Sequence, residues 1–277
     1  ILAHILKDTG YGCNAFLGGI ATNYNSNVLF DSKAKTVVVE ADEYDRSFLE
    51  LYPDIAIVTS MDADHLDIYG EKESLDESFN LFVSQIKYSG KLIRKFGLNL
   101  TGGITYSIDG QADYQASEIR VVDGAFLFTL HYPKGKITDV TVGLPGSHNI
   151  ENAVAAFTVA AELGIDHNAI IAALASFKGV KRRFEYHIKS AGLIYIDDYA
   201  HHPAELKACI QSVKELYPDK KITGIFQPHL YSRTRDFADA FAESLSELNE
   251  VILLEIYPAR ELPIDGISSK MLLEKIS

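Results

Sequence analysis

The sequence predicts an α/β protein of two domains, built on mostly parallel sheets that are covered by helices. Its 277 residues are enough for about two domains. Short apolar, β-branched runs predict strands at residues 36–41, 55–60, 192–197, 221–226 and 250–256. Amphipathic, helix-like stretches lie between or after these runs. Because near-continuous apolar strands that alternate with helices are typical of parallel sheets, we expect helices on both faces of such sheets.

Residues 104–145 interrupt this pattern with period-2 alternation. Turn signals occur there at Asp109-Gly110, Asp123-Gly124 and Lys134-Gly135. Such alternation between turns predicts an antiparallel insert of two or three hairpins. A domain boundary is expected near residues 177–180, where a helix-like stretch ends and a new strand–helix series begins. The predicted domains are therefore residues 1–178 and 179–277.

The bulk composition excludes several classes of protein. Hydrophobic residues make up 47% of the sequence, which suits a sizeable core and not a disordered or fibrous chain. A net charge of −12 argues against a nucleic-acid partner. No apolar run approaches the roughly 18 residues of a membrane-spanning helix, so no membrane insertion is expected. Cys13 and Cys209 have neither metal-ligand nor disulfide spacing, which suits a reducing, cytoplasmic location.

Polar clusters follow the apolar runs at the point where each predicted strand ends. In open α/β sheets, ligands bind at the carboxyl ends of the strands. An ordinary loop is rich in Gly, Asn and Ser, whereas these clusters carry Asp, Glu, His and Arg. The five clusters begin at Asp42, Met61, Asp198, Gln227 and Tyr257. One such loop is weak evidence, but five together predict an enzyme.

Glu40 and His65 are the candidate metal ligands. Glu40 ends one predicted strand, and His65 follows the next among Asp62, Asp64 and Asp67. Neighbouring parallel strands would bring the two side chains to one edge of a cleft. Carboxylate and phosphate oxygens suit Mg²⁺, whereas an imidazole ligand argues for Mn²⁺ or a tolerant site. Spacing alone favours the alternative, an ordinary acidic turn with a helix-capping Asp.

Residues 146–152 open a strongly helical stretch. Ser147 is expected to cap the helix. Asn149 and Asn152 are three residues apart, so they share one face of the first turn. An Asn side chain carries both a donor and an acceptor and can match the amino and ring-nitrogen edge of adenine. Ordinary capping explains Ser147 well and the two Asn residues less well.

Basic and imidazole groups gather in the C-terminal part of the chain. Arg182 and Arg183 could clamp a phosphate or carboxylate in a bidentate way, although a solvated basic run is common. His201 and His229 could be general bases, ligands or ordinary loop histidines. Arg233 could hold an anion or pair with a surface carboxylate.

Six motifs in register resemble the Mur ligases. They are residues 39–45, 62–67, 146–153, 182–185, 197–203 and 226–229. The resemblance covers essentially the whole chain and is closest to the members that join L-alanine to UDP-N-acetylmuramate. It implies a central ATP-binding domain at residues 1–178 and an incomplete, Rossmann-like amino-acid-binding domain at residues 179–277.

The resemblance implies an ATP-dependent, amide-forming ligase of peptidoglycan precursor synthesis. ATP would convert the substrate carboxylate to an acyl phosphate, and the amine of L-alanine would then displace phosphate. Both steps build negative charge on oxygen, which Mg²⁺ and arginines stabilise. The expected cofactors are ATP and Mg²⁺, or Mn²⁺, and the expected partners are the small molecules UDP-N-acetylmuramate, L-alanine and ATP.

The resemblance also implies roles for residues of this sequence. The implied metal ligands are Glu40 and His65. The implied ATP-binding residues are His148, Asn149, Asn152, Arg183, Asp198 and Tyr199. The implied amino-acid-binding residues are His201, His229 and Arg233, and the implied catalytic residues are Arg183, Asp198, His201 and Arg233. Leu230 stands where many relatives carry an arginine, so one expected cation is missing beside the amino acid.

A phosphate-binding loop of the form G-x-x-x-x-G-K-[ST] does not occur in the sequence. We expect that loop, the family's UDP-binding domain and its C-terminal tail to lie outside these residues, which alone should then be inactive. Two alternatives in the same fold have motifs that fit less well: a ligase that attaches a ready-made peptide to the same UDP-sugar, and folylpolyglutamate synthase. A non-catalytic nucleotide-binding domain is the alternative from another class.

Overall fold

A computed structural model describes residues 1–42, 44–61, 72–122 and 125–276. The chain divides into two compact units, Ile1–Lys181 (unit 1) and Arg182–Ser277 (unit 2). The sequence placed the domain boundary after residue 178. Residues 180 and 181 stay with unit 1, because Val180 forms a bridge with Ala21 and the Lys181 N–H donates to the carbonyl oxygen of Ile20.

Unit 1 combines nine described strands with four α-helices and one 3₁₀ helix. The strands are β1 Asn14–Ala21, β2 Ser26–Leu29, β3 Val37–Val39, β4 Ile55–Val58, β5 Lys91–Lys95, β6 Ile104–Ser107, β7 Tyr114–Val122, β8 Ala125–Tyr132 and β9 Gly135–Thr141. The helices are α1 Leu2–Asp8, α2 Lys72–Ser84, α3 Ser147–Glu162 and α4 His167–Ser176, and the 3₁₀ helix is Tyr44–Glu50.

The strands of unit 1 form two sheets. One has the order β2-β1-β3, with β1 parallel to β3 and antiparallel to β2. The other has the order β4-β5-β6-β7-β8-β9; its strands are parallel from β4 to β7 and antiparallel from β7 to β9. The predicted α/β class with a mostly parallel sheet is confirmed.

The insert contains two hairpins, β7–β8 and β8–β9, as the alternation predicted. The turn at Asp109–Gly110 also forms, because the Ser107 hydroxyl oxygen accepts both backbone N–H groups. It does not make a third hairpin, since β6 and β7 run parallel on either side of it.

Helix α3 lies at the centre of unit 1. It packs against α1, α4 and strands β5 to β7. Ile150, Val154 and Phe157 are fully buried on it, and their spacing of four and three residues places them on one face. Because most of its other residues are also buried, the helix is held from several sides. Its first turn therefore rests on a well-packed support.

Unit 2 is smaller and its sheets are shorter. Its strands are β10 Glu185–Lys189, β11 Ile194–Asp197, β12 Thr223–Phe226 and β13 Glu250–Leu253. Its helices are α5 Pro203–Leu216, α6 Tyr231–Asp236, α7 Ala238–Leu245 and α8 Ser269–Leu273. β10 and β11 form an antiparallel pair, and β12 and β13 form a parallel pair. Phe226, Phe241 and Leu245 belong to its core cluster.

The expectation that the parallel strands are buried on both faces is wrong for three of them. Val37 in β3 is 53% exposed, Ile225 in β12 is 68% exposed and Ile252 in β13 is 49% exposed. Successive side chains of a strand point to opposite faces, and Val251 packs on the core while its neighbour Ile252 does not. Within the described ranges, no helix combines the length and the apolar character needed to cross a membrane.

Candidate functional site

Glu40 directly follows β3, and its side chain is exposed. Its oxygen Oε2 accepts a hydrogen bond from the backbone N–H of Gly18 at 2.7 Å. A Cβ atom added at Gly18 would lie 2.3 Å from that oxygen, so any other residue would displace the carboxylate. Exposed carboxylate oxygens suit a hard cation such as Mg²⁺. The predicted second ligand, His65, lies outside the described residues together with the acidic residues around it.

The strands that lead to these two ligands are not neighbours, contrary to the expectation from sequence. β3 belongs to the three-stranded sheet and β4 to the six-stranded sheet. β3 pairs with β1, and β4 pairs with β5. The structure therefore places Glu40 at a strand end, as predicted, and among the described strands β4, which leads towards residue 65, is not paired with β3.

The first turn of α3 holds its two Asn residues in different environments. Asn149 is 9% exposed, and its Nδ2 donates to the carbonyl oxygen of Pro145 at 2.6 Å. The same nitrogen lies 3.0 Å from Nε2 of His148. Asn152, three residues on, is exposed. The fold thus already uses a donor of Asn149, whereas Asn152 faces solvent.

Helix α3 begins differently from the prediction. Its N-cap is Gly146, and Ser147 is the first helical residue. The φ of Gly146 is 98°, a left-handed conformation that glycine adopts without steric cost. Because Gly146 takes the capping position, Ser147 is the first residue of the helix and does not cap it. The backbone N–H groups of such a helix start attract negative charge.

Asp198 joins the end of β11 to the basic loop before β10. Its Oδ2 accepts the N–H of Phe184 at 2.7 Å, and its Oδ1 accepts the N–H of Ala200 at 2.8 Å. Arg182 and Phe184, on either side of Arg183, have φ values of 60° and 48°. Left-handed backbone is costly for such residues, so it needs support from its surroundings. Asp198 supplies that support around Arg183.

Arg183 and His201 share the carboxylate of Glu205, near the start of α5. Arg183 Nη1 lies 3.6 Å from Oε1 of Glu205. Oε2 of Glu205 accepts the N–H of His201 at 3.0 Å. Burial raises the pKa of the Glu205 carboxyl, but the hydrogen bonds and charges of its neighbours outweigh burial and hold that pKa below its ordinary value. The carboxylate therefore stays ionised at neutral pH.

The aromatic and imidazole rings of unit 2 lie side by side. The ring centroid of His201 is 5.0 Å from that of Tyr199 and 6.3 Å from that of His229. The guanidinium of Arg182 lies over the Tyr199 ring, 4.7 Å from its centroid. His229 in turn stacks on Tyr257, with centroids 5.5 Å apart and planes inclined by 16°. The structure thus brings together three of the predicted site residues in unit 2.

Two predicted residues after β12 contribute buried polar atoms. Nδ1 of His229 and Nη1 of Arg233 are buried and have no hydrogen-bond partner within the described part of the chain. Burial, and next the charge of Arg233, lower the pKa of His229. A buried polar atom without a partner costs about 1–3 kcal/mol. These two atoms are therefore suited to an anionic ligand such as a carboxylate.

Leu230 lies between these two residues in the sequence and is the N-cap residue of α6. Its φ is 70°, and its N–H donates to the carbonyl oxygen of Tyr257 at 3.0 Å. Ser232 donates from its backbone N–H to Oε2 of Glu261 at 2.9 Å and from its hydroxyl to Oε1. These bonds with Ser232 lower the pKa of Glu261. Glu261 therefore fixes the start of the short helix that carries Arg233.

Sequence reasoning missed three residues that support the site: Gly18, Glu205 and Glu261. Glu205 had a usable signal, because a glutamate as the third residue of a helix is typical of a capping box. Gly18 had none, since its contact with Glu40 depends on the pairing of β1 with β3. Glu261 likewise acts through a contact 29 residues away in sequence.

A further group of potential metal ligands, also missed, lies on the β10–β11 pair. Glu185, His187 and Asp197 offer ligand atoms that all lie within 4.8 Å of one another. Glu185 is the strand partner of Asp197, and a register irregularity follows Tyr186. Glu185 already accepts the N–H of Arg182 at 2.8 Å. One carboxylate of this group therefore also holds the loop beside Arg183.

Two family models match the chain. The Mur ligase middle domain matches residues 2–160, and the Mur ligase, glutamate ligase domain matches residues 182–277. A UDP-N-acetylmuramate–L-alanine ligase of Christiangramia forsetii is 53% identical over 277 residues. The match covers 100% of this chain and 61% of that relative. The chain thus spans about three fifths of the length of this curated relative.

The chain also matches solved structures of ligases. The UDP-N-acetylmuramate–alanine ligase of Thermotoga maritima matches with a TM-score of 0.83 and 27% identity, over 99% of this chain and 60% of that one. A murein peptide ligase of Psychrobacter arcticus matches with a TM-score of 0.60 and 24% identity, over 91% of this chain and 59% of that one. At that identity, the second match shows a shared fold only.

Proposed function

The chain belongs to the Mur ligase family, and from this premise we propose that it carries the catalytic groups of an ATP-dependent ligase that joins L-alanine to UDP-N-acetylmuramate. The observation that carries the proposal is a pair of buried atoms after β12, His229 Nδ1 and Arg233 Nη1, which find no hydrogen-bond partner among the described residues. An amino-acid carboxylate would satisfy both. The relatives named after this activity support the choice of L-alanine.

The first step is transfer of the γ-phosphoryl group of ATP to the substrate carboxylate, which gives an acyl phosphate. Such transfer depends mainly on positioning and charge neutralisation. We assign adenine to Asn152, whose side chain is exposed, and to Asn149, which Pro145 holds in place. We also assign His148 of unit 1 and Tyr199 of unit 2 to nucleotide binding. Arg183 contacts the nucleotide phosphates, and Asp198 contacts the ribose while it fixes the backbone around Arg183.

The second step is attack by the amine of L-alanine on the acyl phosphate. Arg233 binds the carboxylate of the amino acid, because a guanidinium and a carboxylate form strong, charge-assisted hydrogen bonds. His229, whose pKa is lowered chiefly by burial, stays neutral near pH 7 and can donate or accept there. His201 lies beside it, with ring centroids 6.3 Å apart. Leu230 adds an apolar surface in place of a second cation.

The metal assignment rests on Glu40 and on His65. The exposed carboxylate of Glu40 fits Mg²⁺ or Mn²⁺, and its bond to the Gly18 N–H orients it. A bound cation would neutralise the charge that develops on the phosphate oxygens. Gly18 lies on β1 and Glu40 directly follows β3, which pairs with β1, so strand pairing brings these two residues together.

The test is an assay of ADP release and amide formation by the natural polypeptide that carries this sequence. The substrates are ATP, UDP-N-acetylmuramate and a panel of amino acids and peptides. L-Alanine should support turnover. Turnover with a ready-made peptide alone would indicate the recycling ligase, and no turnover with any acceptor would indicate a non-catalytic nucleotide-binding protein.

A matched pair of variants tests the amino-acid site. Arg233→Ala should raise the KM for L-alanine about ten- to a hundredfold, the loss expected for a hydrogen bond to a charged group. The KM for ATP should stay unchanged. Arg235→Ala is the control, because Arg235 lies on the same helix, is exposed and pairs with Asp236 at 2.7 Å. A rise in the ATP KM with normal alanine binding would refute the assignment of Arg233.

A further inference from the structure

Glu205 has contacts that helix capping alone does not explain. It is the third residue of α5, and its Oε2 accepts the N–H of His202, the N-cap residue, at 3.3 Å. The same oxygen accepts the N–H of His201 at 3.0 Å and lies 3.4 Å from Nδ1 of that residue. Oε1 lies 3.6 Å from Nη1 of Arg183. A cap requires only the first of these bonds.

The surroundings of His201 decide which nitrogen of the neutral ring carries the proton. Nδ1 lies 2.9 Å from the carbonyl oxygen of Tyr199, and a carbonyl oxygen can only accept. The Glu205 carboxylate, on the other side of Nδ1, can also only accept. Nδ1 is therefore the donor. The lone pair of the neutral ring then lies on Nε2.

Resting on the proposed function, we propose that Glu205 is a positioning residue that holds His201 with Nε2 as the proton acceptor for the incoming amino acid. An N–H bond of the substrate ammonium breaks, and its proton moves to Nε2. The freed electron pair on nitrogen attacks the carbonyl carbon of the acyl phosphate. The bond from that carbon to the phosphate oxygen then breaks, and phosphate leaves with the electron pair. The second proton that the nitrogen loses as the amide forms passes to the departing phosphate. The imidazolium afterwards gives its proton to water.

The charges around His201 are consistent with this step. The Glu205 carboxylate and the carbonyl oxygen of Tyr199 can still accept from Nδ1 after Nε2 has taken up the proton. Arg183 pairs with the other oxygen of the same carboxylate, so it neutralises part of that charge. Among the described residues, the rings of Tyr199 and His229 also lie beside the His201 ring, with centroids at 5.0 and 6.3 Å. Glu205 is thus the one anion that these described contacts place against the ring.

Glu205→Gln separates capping from positioning. Glutamine keeps an oxygen that can accept the His202 N–H, but it loses the negative charge. General-base catalysis contributes about 10²–10⁴-fold, so partial loss of its orientation should lower kcat about ten- to a hundredfold. Glu205→Asp keeps the charge and should retain more activity than Glu205→Gln.

Two comparisons show whether Glu205 acts through His201. The double variant Glu205→Gln, His201→Gln should be no slower than His201→Gln alone, because residues that act as a unit are not additive. Glu243→Gln is the matched control, since Glu243 pairs with Lys207 at 3.4 Å in the same unit. It should keep the kcat of the wild-type enzyme.

Nitrogen-15 spectra of histidine-labelled protein give a readout that does not need activity. In the alkaline range, wild-type His201 should show the Nδ1–H tautomer, assigned by its loss in His201→Gln. Glu205→Gln should populate the Nε2–H tautomer. An unchanged tautomer together with an unchanged kcat, or additive losses in the double variant, would overturn the proposal. A wild-type enzyme that ligates no amino acid would overturn the proposed function, and the spectra would still decide the contact between Glu205 and His201.

Discussion

The two units hold their candidate site residues in different ways. In unit 1, Asn149 and Asn152 stand on α3, whose apolar side chains are buried against two helices and three strands. In unit 2, Arg183 and His201 stand on loops that carboxylates hold through backbone N–H groups. Apolar packing fixes the first pair, and charge-assisted hydrogen bonds fix the second. The two halves should therefore respond to different perturbations.

The largest expected effect tests the apolar support of unit 1. Phe157 is fully buried on α3 and contacts the rings of Tyr114 and His167. Phe157→Ala should lower the free energy of unfolding of unit 1 by about 3–5 kcal/mol, because it leaves a cavity in the core. Urea denaturation measures the change, with Leu81→Ala as the control on an exposed apolar residue. A loss below about 1 kcal/mol would contradict the view that packing fixes α3.

A smaller effect tests the carboxylate support of unit 2. In Asp198→Asn, an amide NH₂ replaces one of the oxygens that accept from Phe184 and Ala200, so a donor would face a donor. The free energy of unfolding of unit 2 should fall by about 2 kcal/mol. Faster hydrogen exchange at the two amides would locate the change. Asp219→Asn, at an exposed position, is the control. Equal stabilities of the two variants would show that the Asp198 carboxylate does not support unit 2.

The smallest expected effect is on how the stability of unit 1 depends on pH. The pKa of Glu162 in unit 1 is lowered from 4.5, first by its hydrogen bond to Lys91, which outweighs the opposing effect of burial, and then by Tyr114. Since the folded pKa is the lower one, the group stabilises the fold above pH 4.5 and loses this contribution as pH falls through the folded pKa.

The free energy of unfolding of unit 1 should therefore fall less on acidification in Glu162→Gln than in the wild type. The difference should be below about 1 kcal/mol, as is usual for partly exposed ion pairs. Urea midpoints at neutral pH and below pH 4.5 give the difference. Glu77→Gln, at an exposed position of α2, should retain the wild-type dependence on pH. Equal acid sensitivity of Glu162→Gln and wild type would show that Lys91 contributes nothing at this position.

Patterns local in sequence predicted much of this architecture. The apolar runs located β3, β4, β11, β12 and β13, and the polar residues expected at their ends include Glu40 and His229. What the sequence could not give depends on contacts between distant segments. Ser147 looked like a cap, but the backbone turns one residue earlier, at Gly146. The parallel pairing of β6 with β7 likewise follows no local signal.

The site shows the same division between local and distant information. Residue types at strand ends indicated an anion site at Arg233, and the structure adds that its Nη1 is buried without a partner in the described ranges. Gly18 was missed because its contact with Glu40 depends on the pairing of β1 with β3. Glu205 was missed although its place in a capping box was a usable signal. The roles of His65 and of the other predicted ligands stay predictions.

Because Gly18 contacts Glu40, the residue types that these two positions accept depend on each other, although they are 22 residues apart. A side chain at position 18 would meet the carboxylate at 2.3 Å, so glycine is required there only while position 40 carries a glutamate in this conformation. A lineage that lost the carboxylate would release position 18 from this constraint. A lineage that kept it could change position 18 only after the carboxylate had moved. The order in which the two positions can change is therefore set by a single steric contact.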